Sequence, residues 1–546
     1  MPTTAPETFA TQTSDGTSRE HRVRGLWTPS PADALFALGL GALLAYAAWL
    51  GRDLWFFSDD WDIIAFHHNG AYLTPYNSHL WLVPIGIFHT LYVTAGLGSY
   101  APYRVVGLLG YALLGIVFYL YARRRVHPVL AALASLSVMW FSTAHYNLLF
   151  PLLLNFSLPL ACTVGIWMLL DRDSRRGDVA AGVLLALALA TNSVGLVTVA
   201  VVATELALRR APLRRWLPFI PPFALWLVWY AVYHKPMKGP GSAGAVVRYA
   251  LHEIQATFAG FAGGSNAIGY VLLVATATLF LLSVVRWHTF NARAAAALAG
   301  LAAFALLTAY TRQGFVPPVV ATTPRYLWLD AFFLVAAVIE VLRGVETIRF
   351  VAVAGAVLVV VGAVTLVGNL RSYHHQVVTG AHTTRTYLTA VEAIPDRVNR
   401  RRVLPVSYIP VRVGAYLTAT RHLGSPIHHV TSRQLGTEAD RAGADQWMIA
   451  DLGLRFVPVA SPPPSGCSAV SPLAAPRGIA VQGPARILVQ AGAAPVDWSI
   501  RRLARGGVAQ PPIPPGTLEE LQIPRDHSTL PWLARISGAA SVAICT

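Results

Sequence analysis

Residues 32–64 read ADALFALGLGALLAYAAWLGRDLWFFSDDWDII. The first part, 33–50, is an apolar run, and it passes almost at once into three carboxylates, Asp59, Asp60 and Asp62, set among Trp55, Phe56, Phe57 and Trp61. A run of that length suits a helix crossing a hydrocarbon layer about 30 Å thick. No small-residue cleavage site follows it, so it reads as a first membrane anchor rather than a cleaved signal peptide.

The rest of the chain has the same character. Of 546 residues, 55% are hydrophobic and 12% charged, with a mean hydropathy of +0.50, which is too apolar for a soluble globular chain of this length. Further apolar runs at 102–121, 128–145, 152–170, 178–191, 194–208, 216–233, 268–285, 294–310, 326–342 and 350–368 bring the expected crossings to about eleven. The expected fold is therefore a polytopic α-helical membrane protein occupying 31–370. Residues 1–30 carry no apolar pattern and read as a disordered cytoplasmic tail.

Arginine sets the orientation. The clusters ARRR at 122–125, DRDSRR at 171–176, LRRAPLRR at 208–215, VRWHTFNAR at 285–293, and Arg343 with Arg349 all fall in alternate connections. With the N-terminus in the cytoplasm, all five lie on the side that positive charge favours. The segment LWLVPIGIFHTLYVTAGL at 80–97 is left out of the count, because a crossing there would export ARRR. It reads instead as a helix on the outer interface, inside a long outer loop, 51–101.

Two more outer loops, 234–267 and 311–325, and an outer C-terminal domain, 371–546, follow from the same count. In that domain 374–400 looks helical and 461–478 looks like a linker. The strings RRVLPVSYIPV, LRFVPVA, ARILVQAG and ASVAICT suit strands, so a mixed α/β domain ending in a small β-sandwich is expected. Three cysteines exclude a zinc cluster or a disulfide framework: Cys162 lies in an apolar run, which leaves room for one bridge, Cys467 to Cys545. The net charge of +16 suits anionic lipid on the cytoplasmic side and, in the outer domain, acidic lipid, phosphate or an anionic glycan. No nucleic-acid recognition motif accompanies it.

The carboxylate trio has two readings. Ser58 is a good N-cap, and acidic residues in a first turn favour the helix dipole, which accounts for one or two of the three. Ionisable groups at membrane depth are costly and line polar cavities, which is the functional reading. On a helix Asp59 and Asp62 share a face, while Asp60 points elsewhere with Ile64 and His67.

His79, in TPYNSHLWLVP, is either an interfacial residue or faces the same site. In STAHYNLLFP at 142–151, His145, Tyr146 and Asn147 could hold a sugar or cap a helix end. In ATTPRYLWLD at 321–330, Arg325 beside Tyr326 either snorkels to headgroups or offers its planar fork to a phosphate. Arg248 and Tyr249, with Lys235 and Lys238, form a weaker cationic set. GPGSAG at 239–244 matches a nucleotide-fold glycine pattern but follows a membrane helix and contains Pro240, so it reads as a turn. The histidine pairs at 67 and 68, 374 and 375, and 428 and 429 lack metal-ligand spacing.

These motifs resemble those of the GT-C membrane glycosyltransferases. The likeness is greatest to actinobacterial members of the arabinofuranosyltransferase type, with more distant relatives among protein mannosyltransferases and aminoarabinose transferases. It rests on SDDWDII directly after the first crossing, NSHLWLVP before the interfacial helix, YR at 103 and 104, HYNLLF after the third crossing, and PRYLWL late in the membrane part. It covers roughly 30–370; HYNLL matches loosely, and the C-terminal strings carry no binding signature.

The resemblance implies Asp59 and Asp60 as catalytic residues, Asp59 as the base and Asp60 as its electrostatic partner, which with a divalent cation (Mg, Mn or Ca) at the pair would stabilise the departing phosphate. It also implies Arg325 on the leaving phosphate and a polyprenyl-phosphate sugar as donor. The acceptor would be a glycan, lipid or protein of the cell envelope, met on the outer face of the plasma membrane with inversion of the sugar. Two readings from other classes stand beside it. A transporter or flippase of lipid-linked sugar would carry internal repeats and broken helices; no duplication is seen, and ATNSVGLV at 190–197 is the one interruption of that kind. A non-catalytic envelope-assembly protein would use the carboxylates only as caps.

Overall fold

The structure, a computed structural model, describes residues 30–68, 71–233, 242–286, 288, 290–313, 320–343, 348–405, 410–427, 430–460, 466–470 and 478–545. Residues 1–29 of the expected N-terminal tail, Lys235 and Lys238, the first half of GPGSAG, the histidines at 428 and 429, and most of the linker at 461–478 lie outside the described residues.

The described residues between 30 and 393 are mainly helical. The order is α1 (Pro31–Leu50), α2 (Asp59–His67), α3 (Leu82–Ala95), α4 (Ala101–Arg123), α5 (Pro128–Met139), α6 (His145–Leu149), α7 (Leu154–Leu170), α8 (Arg175–Thr191) and α9 (Val194–Leu208). Then come α10 (Leu213–Trp216), α11 (Ile220–Tyr233), α12 (Ala243–Phe261), α13 (Asn266–Val285), α14 (Ala292–Arg312), α15 (Pro324–Val341) and α16 (Ile348–Ala393). Among the described residues, seven helical stretches are long and apolar enough to cross a membrane, and α3, α5 and α9 are shorter apolar helices. The bundle wears its apolar side chains outward: Val271, Val274 and Leu281 of α13 and Phe350, Val353, Val357 and Val360 of α16 are all exposed. A surface of that kind is stable only against lipid.

Two polar clusters tie the helices together at opposite ends of the bundle. Arg293 on α14 is buried and donates from Nε to Glu205 Oε2 at 2.9 Å and from Nη2 to Asp171 Oδ1 at 3.0 Å. Arg125 pairs with Asp171 and, at 3.3 Å, with Glu340, which also accepts from Tyr121. Together these bonds link the ends of α4, α7, α9, α14 and α15. At the other end Arg104 on α4 donates to Ala47 O at 2.7 Å and to Leu149 O at 3.0 Å. It thereby adds a second bond to a carbonyl in the last turn of α1, which also accepts from the Gly51 amide, and satisfies the carbonyl of the last residue of α6. The guanidinium lies where Gly51 has no side chain: a Cβ there would sit 2.1 Å from Arg104 Nη2.

The boundary expected at 371 falls inside α16, which runs unbroken for 46 residues, about 69 Å at 1.5 Å per residue and so far longer than a bilayer is thick. Its distal half is covered by α17 (Val413–Leu423) and α18 (Glu438–Leu452). Tyr387 meets Trp447 at 4.7 Å, and Tyr416 Oη donates to Glu392 Oε1 at 2.5 Å.

Among the described residues nine strands follow, numbered in chain order: β1 (Phe456–Pro458), β2 (Cys467–Val470), β3 (Ile479–Val481), β4 (Ala485–Ala491), β5 (Asp497–Arg501), β6 (Val508–Ala509), β7 (Leu518–Ile523), β8 (Trp532–Ser537) and β9 (Ala539–Cys545). They form antiparallel sheets in the orders β1-β7-β4-β9-β2 and β3-β8-β5-β6. Alternation along β4 and β8 buries Ile487, Val489, Trp532, Ala534 and Ile536, and Phe456 meets Trp498 edge to face at 4.7 Å between the two sheets.

The strings at 454–460, 485–492 and 540–546 thus form strands. RRVLPVSYIPV does not: among its described residues only Val403 pairs, in a single bridge to Arg412. Cys467 and Cys545 stand opposite each other in the β2–β9 register and are joined as a disulfide.

Candidate active site

Helix α2 is short, and it starts under strain. Ser58 has φ +47° and ψ −121°, a conformation that L side chains rarely adopt, and Asn77 and Ser78 in the same loop also have positive φ, at +48° and +66°. The Ser58 hydroxyl makes no cap to the helix backbone; it donates to Asp59 Oδ1 at 3.2 Å. The expected N-cap role of its side chain is therefore replaced by a bond to the first carboxylate.

The three carboxylates diverge. Asp60 is 1% exposed; its Oδ2 accepts from Tyr100 Oη at 2.7 Å and from the Phe57 amide at 3.1 Å. Burial drives its carboxyl up to about 8, against the pull of those two bonds. Asp62 is fully buried and accepts from Tyr76 Oη at 3.3 Å. Only Asp59 opens on a cavity.

That cavity, about 350 Å³, is lined by Phe57, Ser58 and Asp59 on one side, Tyr146, Phe150, Thr323 and Arg325 on another, and Tyr373, Gln376, Gly380 and Thr384 of α16 on the third. A narrower chamber adjoins it, sharing Asp59, Phe150 and Arg325 and adding Tyr76, His79, Asn155, Asn192 and Arg312. Burial pushes the Asp59 carboxyl above the ordinary carboxylate range, opposed first by the charge of Arg325 and more weakly by the Ser58 hydroxyl and Arg312. Arg325 donates to Tyr326 Oη at 3.3 Å. The guanidinium carbons of Arg325 and Arg312 lie 5.1 and 5.6 Å from the Tyr326 ring centre.

His79 has both ring nitrogens engaged, Nδ1 with Ser193 Oγ at 2.6 Å and Nε2 with Arg312 Nη2 at 3.2 Å. Burial and then the two guanidiniums bring its pKa down to about 3.

Of the residues expected at the site, Asp59, His79 and Arg325 converge. Tyr326 is buried beneath the arginines rather than lining a cavity. His145 lies behind the wall, packed on Tyr146 at 5.1 Å and on Tyr373 at 5.4 Å, and Tyr146 and Phe150 are the residues of that motif that reach the cavity. Asn147, one position on, turns into the buried side of α6, and Arg248 is exposed on α12 away from both cavities. The sequence reading missed Arg312, Asn155, Asn192 and the α16 face. A helical repeat of Tyr373, Gln376, Gly380 and Thr384 was present in the sequence as a signal for that face.

A divalent cation finds a poor donor set here. Asp60 is turned away into its bonds with Tyr100 and Phe57, Asp59 faces two guanidiniums, and no three His, Cys, Asp or Glu side chains converge among the described residues.

No protein-family model and no curated protein matches the chain. Among solved structures, ArnT from Cupriavidus metallidurans bound to undecaprenyl phosphate is similar over 78% of this chain and 96% of that one, with 14% identity and a TM-score of 0.46. The apo state of ArnT from Cupriavidus metallidurans is similar over 68% and 82% of the two chains, with 14% identity and a TM-score of 0.42. The bound undecaprenyl phosphate is a property of that protein.

Proposed function

We propose that this chain is a membrane glycosyltransferase that moves a sugar from a polyprenyl-phosphate donor to a cell-envelope acceptor on the outer face of the plasma membrane. The observation that carries the reading is the convergence, on one cavity, of a single accessible carboxylate, Asp59, with the guanidinium of Arg325.

In the proposed reaction Asp59 takes the proton of an acceptor hydroxyl as its oxygen attacks the anomeric carbon. The bond from that carbon to the phosphate oxygen breaks, its electron pair leaves with the phosphate, and the sugar is inverted. A carboxylate whose affinity for protons is raised by burial is a better base than a free one. Arg325 binds the phosphate in the donor and stays on it as it departs. Asp60, held by Tyr100, positions α2, and no step is routed through a metal.

A lipid-borne donor is supported by an apolar crevice of about 420 Å³ between α5, α13, α15 and α16, lined by Leu130, Leu334, Val338, Phe350, Ala354 and Leu358. It begins about 13 Å along α15 from Arg325, counting 1.5 Å per residue, so a chain attached to a phosphate at Arg325 would reach it. A disulfide between Cys467 and Cys545 suits an oxidising compartment, which supports placing the strand domain outside. Eleven crossings with the N-terminus inside accord with that placement.

Membranes containing the protein and supplied with radiolabelled polyprenyl-phosphate sugars should transfer label to an envelope acceptor, and Asp59→Asn should stop it. Transfer unchanged in that variant sinks the base role. Label crossing the membrane without transfer would make the protein a transporter, and neither event would leave an assembly protein. Single cysteines at Arg248 and Ala450, both exposed, should react with an impermeant reagent from outside; reaction only from inside overturns the orientation.

A further inference from the structure

The interruption ATNSVGLV separates α8 from α9, and its purpose emerges from where its residues go. Asn192 lines the narrow chamber beside Asp59, and Ser193 meets His79. The Arg312 guanidinium has only N–H groups to offer and can only donate. The His79 Nε2 that receives it therefore carries no hydrogen, and the ring proton sits on Nδ1, donated to Ser193 Oγ over 2.6 Å. A chain of bonds thus runs from the α8–α9 break through the first loop to the end of α14. It holds the Arg312 guanidinium 5.6 Å from the centre of the Tyr326 ring, against which Arg325 also lies at 5.1 Å.

We infer that Arg312 is a second anion-binding group of the site, tuned to the leaving phosphate rather than to the donor, and that Ser193 and His79 are the positioning residues that aim it. The inference rests on the proposed glycosyl transfer. A sugar-bearing polyprenyl phosphate is a diester with one negative charge; once the bond to the sugar breaks, the monoester carries close to two at neutral pH, as other phosphate monoesters do. Arg325 answers the charge present throughout. A second guanidinium is matched to the charge that appears only as the bond breaks, and an interaction of that kind accelerates the step instead of merely tightening substrate binding. Neutral His79 suits this task, because a protonated ring would repel the arginine it aims.

The test uses the full chain in nanodiscs and two probes, undecaprenyl phosphate and its methyl diester, with binding read by tryptophan fluorescence. Wild type should prefer the monoester. Arg312→Gln should lose that preference, weakening the monoester about 10- to 100-fold with little effect on the diester, whereas Arg325→Gln should weaken both.

His79→Ala should lose much of the preference, His79→Gln should restore it because an amide can accept from Arg312 and donate onward, and Ser193→Ala should fall between. Monoester preference intact in Arg312→Gln overturns the inference, as does His79→Ala binding like wild type. Equal loss in His79→Ala and His79→Gln, with unchanged melting temperatures, removes the positioning role. If wild type binds Arg325-dependently but without preference between esters, the inference fails while the proposed function stands; if it binds neither ester, both fail.

Discussion

Tyr100 donates to Asp60 over 2.7 Å at the base of α2, so the helix that presents Asp59 to the cavity is pinned through its neighbour to the start of α4. The bond gives Asp60 a structural task, while burial, which the bond only partly offsets, keeps its carboxyl protonated. Unfolded, the group titrates near 3.8; folded, near 8. The folded state keeps its proton through that window, so the stability it contributes is complete below 3.8 and is lost as pH rises through about 8. Asp60→Asn retains an acceptor for Tyr100 and Phe57 and abolishes the titration. It should gain stability above pH 8, on the order of 5 kcal/mol, and keep transfer within about threefold of wild type, a change of under 1 kcal/mol. Transfer abolished in a well-folded Asp60→Asn would instead put this carboxyl in the chemistry.

Asp59 and Arg325 should separate in kinetics. Loss of the base in Asp59→Asn should lower kcat by about 10²- to 10⁴-fold with donor KM little changed. Arg325→Gln should damage both, since it meets charge present in donor and product alike, and Arg325→Lys should recover only part because an ammonium lacks the planar fork. Initial rates at varied donor concentration decide it, and a donor KM unaltered in Arg325→Gln would remove that arginine from the phosphate.

His79 carries the opposite pH signature to Asp60. Its ring titrates near 6.5 when unfolded and near 3 in the fold, where burial first and then Arg312 and Arg325 disfavour the cation. The unfolded chain binds that proton first, so the contribution to stability is present above 6.5 and is lost as pH falls toward 3. His79→Gln should flatten the fall of melting temperature between pH 6.5 and 4 relative to wild type. Parallel curves for the two proteins would mean that the ring is not held neutral.

Much of this arrangement was legible in the sequence because the membrane simplifies the problem. Apolar runs at 33–50 and 350–368 announce helices wherever they pack, and the short strings near Phe456, Ile487 and Val542 announce strands. The carboxylate trio marked the site, but its division did not follow from spacing. Asp59 and Asp62 do lie near one face, yet a turn of helix sinks Asp62 onto Tyr76 while Asp59 stays at the cavity. Ser58 looked like a cap, and only its positive φ turns the hydroxyl to Asp59. The bond between His79 and Arg312 spans 233 positions; no local pattern encodes it.

Gly51 tests the frame behind the site. A methyl group there would occupy the space of the Arg104 guanidinium, which is 6% exposed and committed to Ala47 O and Leu149 O. Gly51→Ala should displace that arginine and cost about 1–3 kcal/mol. Transfer should fall along with stability, since Leu149 precedes the Phe150 wall of the cavity. Gly51→Ala melting like wild type would show that Arg104 has another seat.

The apolar crevice makes the donor's tail testable independently of its phosphate. Ala354 lines it from an exposed position on α16, so a large side chain can fill the space without overpacking the bundle. Ala354→Trp should leave a short-tailed donor, whose chain ends before the crevice about 13 Å from Arg325, with an unchanged KM. A full-length polyprenyl donor should lose the contact of several methylenes, each worth about 0.8 kcal/mol when buried, and its KM should rise about tenfold or more while kcat holds. The comparison of tail lengths within one variant controls for folding, since both donors meet the same protein. Equal KM changes for short and long tails would place the chain in bulk lipid and free the crevice from any part in donor binding.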